Sequence, residues 1–319
     1  MTSLKRLPFF NLMILLAAGC WAHAFAQTPP LAIKPIRPSQ KASVMQTIGV
    51  TDITITYSRP SVKGRPIFAD APPEMEALHK GEETLDNQNE RKPGWPIVPY
   101  NHVWRAGANE ATMFQVTDDV LVNGQPLKAG TYSMHTIPGK DEWTIVFNSD
   151  AGQWGSFTYD AKKDVLRVKT KPQAAGDNQE WLAYTFDPVT DNSATVNLRW
   201  EKVRVPFTVE VKDVVAAWRK HADEMIAANP TAQQLPQQVA QTYFGRKNYD
   251  EALKAVDQSI KVKETFGNLS LKSNILWDMG KKDEAQTVAT AAIAKGKADK
   301  VNTAAFEKRV ADRTAPKTP

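Results

Sequence analysis

"VPFTVEVKDVVAAWRKHADEMIAAN", Val205–Asn229, decides the fold. Up to Val211 the apolar residues fall on every second position: Val205, Phe207, Val209 and Val211 alternate with Pro206, Thr208 and Glu210. That is the period of a strand with one buried face. At Asp213 the period becomes 3.6, opening on a capping-type Asp and closing at Asn229-Pro230. One chain thus changes architecture at a single point. The expectation is a β + α protein, an antiparallel β-sandwich domain over residues 41–212 followed by a small α-helical, tetratricopeptide-like repeat domain over 213–309.

Upstream of that switch the short period recurs. "DITITYS", "ATMFQVT", "GTYSMHTI", "EWTIVFN", "DVLRVKT", "EWLAYTF" and "ATVNLRW" follow one another, separated by Asn123-Gly124, Pro138-Gly139-Lys140-Asp141 and Asp191-Asn192-Ser193. With no helical pattern between most of these runs, an antiparallel sandwich is indicated and an alternating α/β fold is not. One segment breaks the rhythm. Ala69–Gly94, "ADAPPEMEALHKGEETLDNQNERKPG", is polar and lacks alternation. Long connections of this kind are lids, binding loops or mobile segments, and composition favours the mobile reading.

Downstream the helical patterns run to about Arg309 and contain an echo. Asp250-Glu251-Ala252 recurs as Asp283-Glu284-Ala285, 33 residues on, and Ile260 recurs as Ile293. "AQTYFGRKNYDEALKAVDQSI" looks like a tetratricopeptide helix pair, although the period is one residue short of the usual 34 and two units are legible at most. Residues 310–319 read as a disordered tail.

The amino terminus carries an address. Lys5 and Arg6 precede the apolar run "FFNLMILLAAGCWA", and Ala24-Phe25-Ala26 offers a small-x-small cleavage site. Residues 1–26 therefore read as a signal peptide, with Gln27 as the new first residue, and 27–40, with four prolines, as an extended leader. "LLAAGC" also supports a lipoprotein signal that would anchor the chain at Cys20. Either way the protein is expected to be periplasmic or secreted, with no transmembrane helix in the mature chain. Cys20 is the only cysteine, so cleavage at Gln27 leaves no thiol for a disulfide or a metal. The basic excess, 40 Lys and Arg against 35 Asp and Glu, is too dilute for a nucleic-acid footprint.

Candidate chemistry centres on "VWRAGANEAT", Val103–Thr112. Arg105 carries a planar fork of donors suited to a carboxylate or phosphate. Asn109 donates and accepts, and Glu110 is either Arg105's own partner or a proton-transfer group. As an open cluster the three suit an anionic or sugar-like ligand. As a closed one, Arg105 and Glu110 form a buried pair that pins strand to loop. Arg59 and Arg65, around a proline turn, either extend a basic pocket with Arg105 or line a loop. His135 falls on the more polar face of its strand, opposite Tyr132 and Met134. Neither His102 nor His135 sits in an HxH or HExxH spacing, so no metal is expected. No cofactor is expected either, since there is no GxGxxG or P-loop, and no GxSxG elbow is present. "GQWG", Gly152–Gly155, and the other tryptophans either stack on sugars or fill the core.

Three long blocks, "RPSQKASVMQTIGVTDITITYSRPSVKGRPIF", "VPYNHVWRAGANEATMFQVTDDVLVNGQPLKAGTYSMHTIPGKDEWTIVFN" and "EWLAYTFDPVTDNSATVNLRWEKVRVPFTVEV", resemble in order the bacterial family catalogued as domain of unknown function 2911. The resemblance spans about residues 37–211 and implies a secreted or envelope β domain, sometimes followed by helical repeats. It implies no activity. The chain departs from the family pattern at 69–94, where a shorter link is expected. Three functional readings follow. The first is an exported module that binds a small-molecule or protein partner in the envelope. The second is a periplasmic hydrolase using Glu110, with Arg105 orienting the substrate and Asp118, Asp119 or Asp141 as a second acid. The third is a non-catalytic scaffold whose helices hold a partner.

Overall fold

The alternating stretches form strands because each can bury one face, and here they bury it against each other. The computed structural model describes residues 33, 35–78, 84–86 and 92–315. The expected signal peptide, Cys20 and the cleavage site lie outside these residues. In chain order the strands are β1 (Gln40–Ile48), β2 (Thr51–Arg59), β3 (Phe68–Ala69), β4 (Val98–Pro99), β5 (Thr112–Val116), β6 (Val120–Val122), β7 (Gln125–Leu127), β8 (Gly130–Ile137), β9 (Trp143–Asn148), β10 (Asp164–Thr170), β11 (Gln173–Val189) and β12 (Ser193–Glu210). One antiparallel sheet has the order β1-β2-β5-β8-β9-β10, the other β11-β12-β6-β7, while β3 and β4 form a short parallel pair. "ATVNLRW" and "VPFTVEV" are not two strands but the two ends of β12, joined through Glu201 at φ +53°.

The inward faces are those the alternation marks. Ile53, Ile55 and Tyr57 of β2 share a core with Val196, Leu198 and Trp200 of β12. Phe114 and Phe147 meet edge to face at 5.0 Å, and Trp104 stacks on Trp200 at 5.8 Å. Each such side chain withdrawn from water contributes roughly 1.5–3 kcal/mol.

The described part of 69–94 is anchored, which corrects the mobile reading there. A short helix, α1 (Pro73–Glu76), buries Met75 completely, and Thr84, Leu85 and Asp86 are all buried. Leu85 supplies an apolar anchor and Asp86 a polar one, described below.

The helices are α2 (Val214–Ala228), α3 (Gln234–Gly245), α4 (Tyr249–Val262), α5 (Phe266–Asp278), α6 (Lys282–Ala298) and α7 (Ala304–Thr314). The 33-residue echo has a structural counterpart. Ala252, Val256 and Ser259 of α4 and Ala285, Ala289 and Ala292 of α6 are all buried, at matching positions. The last helix corrects the expected tail: α7 continues to Thr314, and Val310 is buried. Pro38–Pro319 cluster as one compact unit. Its two parts meet along α2, whose Val214 and Ala217 pack on the β core while Val215, Trp218, Ala222 and Ile226 pack on the helical core. Asp213 caps that helix by accepting from the Val215 and Ala216 amides. At the same junction His221 Nε2 donates to buried Asp118 at 2.8 Å, and Thr51 Oγ1 donates to the other carboxylate oxygen at 2.9 Å. Among the described residues no helix is long and apolar enough to cross a membrane.

Candidate functional site

Val103–Thr112 is a tight, backbone-strained loop. Ala106 and Asn109 sit at φ +53° and +59°, and Gly107 is packed so closely that a Cβ there would lie 2.9 Å from Thr112 Oγ1. Its carbonyls are taken up internally. Ala106 O accepts from Thr112 Oγ1 at 2.9 Å and from Tyr184 Oη at 2.8 Å, and Gly107 O accepts from Trp104 Nε1 at 3.0 Å. The Asn109 amide donates to Ser39 O at 2.9 Å, holding the start of β1.

Arg105 does find a buried acid, and that acid is Asp86. The guanidinium Nη2 bonds Asp86 Oδ1, Nη1 donates to Asn109 O, and the two side chains are only 15% and 5% exposed. Asp86 Oδ2 accepts from the Ser156 amide at 2.7 Å and from Ser156 Oγ at 2.5 Å. Thr84 Oγ1 and Ser156 Oγ are also hydrogen-bonded. Gly155 closes the arrangement. At φ +63°, a Cβ there would lie 2.8 Å from Arg105 Cζ and 2.9 Å from Asp86 Oδ2. Three separate segments, 84–86, 105–109 and 155–156, are thus held by one ion pair. Asp86 was not readable from its own surroundings. The one signal was Leu85, the sole non-proline apolar residue between Leu78 and Trp95.

The other expected residues are dispersed. Arg59 donates to Leu182 O at 2.7 Å and ties β2 to β11, while Arg65 donates to Val62 O and Ser61 O, so neither extends a basic pocket with Arg105. His135 is fully buried on the outer face of β8, under the segment that carries Gln153 and Tyr159. Its Nε2 is 3.2 Å from Ser133 Oγ. Burial lowers its pKa to about 4, so it is neutral at pH 7 and out of reach of a ligand. Among the candidate second acids, Asp118 is committed to Thr51 and His221, and exposed Asp119 pairs with Lys128 at 2.7 Å. Among the described residues no group of three or more His, Cys, Asp or Glu side chains is placed to hold a metal.

Glu110 separates from Arg105. It lines a groove of about 240 Å³ on the outer face of the larger sheet, with Lys41, Thr56, Ser58, Met113 and Gly152. Arg105 and Asn109 line a different cavity, of about 210 Å³, walled by Trp104, Leu85 and Ile97. The bridge partner of Glu110 is Trp154, whose residues align antiparallel. Side chains paired in this way leave the strands on the same face. Trp154 is not core: it is 52% exposed, and Phe157 nearby is 45% exposed.

The sequence profile described as a protein of unknown function, DUF2911, matches residues 39–209. The chain belongs to this family. The DUF2911 match takes in both sheets, the Arg105–Asp86 pair and the Glu110 groove, and stops before Asp213, so α2–α7 lie beyond it. No curated protein and no solved structure matches this DUF2911 chain.

Proposed function

We propose that this protein is an exported binding module whose ligand site is the Glu110 groove, and that its ligand is sugar-like. The observation that carries this reading is that half-exposed Trp154 is the antiparallel bridge partner of Glu110, which lines that groove. An indole offers an apolar face to a pyranose ring. Glu110 accepts hydrogen bonds from hydroxyls, Lys41 donates to them, and Thr56 and Ser58 do both. Arg105 and Asn109 serve the reading indirectly, by fixing the loop from which Glu110 projects. The hydrolase reading loses its geometry, because Arg105 and Glu110 line separate cavities. Export rests on Lys5-Arg6, the apolar run and Ala24-Phe25-Ala26.

Two experiments test the proposal. Calorimetric titration with a panel of neutral and acidic mono- and disaccharides should give binding that Trp154→Ala and Glu110→Gln abolish without lowering the melting temperature. No binding by any member, or binding indifferent to both substitutions, leaves a scaffold role instead. The mass of the native protein should place Gln27 first. Retained Met1, or lipid on Cys20, rejects this cleavage.

A further inference from the structure

The opposite face of the sandwich has an opening of its own. The ladder between β11 and β12 runs Ala174↔Val203, then Gln179↔Glu201, then Ala183↔Arg199. β11 advances five residues and then four, while β12 advances two each time. The surplus residues of β11 leave the ladder as bulges, and Glu201 opposite them adopts φ +53°. Ala174–Asp177 becomes one wall of a trough. Its floor is the outer face of the sheet, where Thr185 pairs with Asn197 and Arg199 follows two residues on, while Val196, Leu198 and Trp200 point into the core. The trough holds about 510 Å³, inside the usual range for small-molecule sites and about twice the volume of the Glu110 groove.

Its charges do not cancel locally. Arg199 Nη2 pairs with Asp177 at 2.7 Å, which neutralises both. Arg204 also lines the trough, but its partner is the neutral carboxamide of Gln173. The Asp187 carboxylate makes no hydrogen bond or ion pair among the described residues. One cation and one anion are therefore left uncompensated in the same trough. Arg199 Nε adds a buried donor with no hydrogen-bond partner among the described residues, the kind of group that calls for a missing acceptor. A simple anion would meet Asp187, and a simple cation would meet Arg204. A molecule carrying both charges meets neither penalty.

We infer that this trough is a second ligand site, for a small zwitterion such as an amino acid or a short peptide with both termini free. The ligand's carboxylate lies against Arg204 and the free donors of Arg199, where a planar fork matches it. Its ammonium lies against Asp187. The Asn197 side chain is already spent on Asp187 O, at 2.7 Å, and serves to hold that residue in place.

The test is calorimetric titration of the full chain with trialanine, N-acetyl-trialanine and trialanine amide. Trialanine should bind best, and blocking either terminus should weaken it about tenfold or more. Arg204→Ala should erase the preference for trialanine over its amide, and Asp187→Asn the preference over the N-acetyl form. Both positions are exposed, so an unchanged melting temperature separates lost binding from lost folding. No binding at about 10 mM trialanine, equal affinity for the three peptides, or indifference to both substitutions overturns the inference. So does binding that Trp154→Ala abolishes, which would assign the peptide to the Glu110 groove.

Discussion

Replacing Arg105 with Ala should destabilise this protein by about 3 kcal/mol, and the loss should be coupled to Asp86 and not to Glu110. Among the described residues the guanidinium is the only cation bonded to Asp86, whose side chain is 5% exposed. Removing one partner of a buried pair costs about 3–5 kcal/mol, because a charge is left without compensation. Here the stranded carboxylate keeps the amide and hydroxyl of Ser156, so the lower end of that range applies. Truncation also frees Asn109 O of one donor, although the Gly155 amide still reaches it at 3.0 Å. Guanidinium chloride melts of Arg105→Ala, Asp86→Asn and the double variant measure the coupling. Asp86→Asn removes the charge that Arg105→Ala strands, so the double variant should recover roughly half the single loss. The matching cycle with Glu110→Gln should be additive within about 0.5 kcal/mol. A single loss under about 1 kcal/mol, or coupling that follows Glu110, would refute the staple described here.

Gly155→Ala strikes the same network from the other side. The left-handed backbone and the close approach to Arg105 and Asp86 together predict a loss of about 2–4 kcal/mol in the same melts. His135 predicts a pH effect. Its folded pKa, about 4, lies below the ordinary 6.5, so below pH 6.5 the unfolded chain binds the extra proton. Stability that is complete above pH 6.5 should then fall with pH until about 4, by up to ~3 kcal/mol, and His135→Gln should flatten that part of the stability profile. Finally, residues 213–319 expressed alone should melt with poor cooperativity, because α2 loses the β surface under Val214 and Ala217. A sharp, independent transition would show that the helices are self-sufficient.

The switch of period at Asp213 located the main architectural boundary because burial enforces it. A strand face and a helix stripe need different spacings, and Val205–Asn229 contains both. The 33-residue echo was legible for a similar reason, since Ala252 and Ala285 are small where helices pack closely. Sequence splits β12 into two strands, because the inward positions shift by one at Glu201, from Val196, Leu198 and Trp200 to Val205, Phe207 and Val209, so the alternation breaks inside one continuous strand. Within "VWRAGANEAT" the residue types announced a polar staple or a polar site; the staple is the Arg105–Asp86 pair, and the site is the one proposed at Glu110. The pairing was out of reach. Asp86 lies 19 residues before Arg105, in a stretch without periodicity, whereas Glu110 is close in sequence and faces elsewhere. The trough was invisible too, since Arg199 and Arg204 become neighbours only when β11 leaves register.

Helix α2 has a consequence for how such a chain can change over generations. Val214 and Ala217 answer to one interior, and Val215, Trp218, Ala222 and Ile226 to another. Drift is left to Lys220, Asp223, Glu224 and a few exposed neighbours. On the β side the constraint reaches Gly49, where even a methyl group would sit 2.9 Å from Val214 Cβ. Recombination at Asp213 would therefore deliver an incoming tail without its counterpart on the sandwich. The two halves are heritable as a pair, and an exchange of tails between relatives is viable only where the hairpin tip at Gly49 and the first turn of the helix travel together.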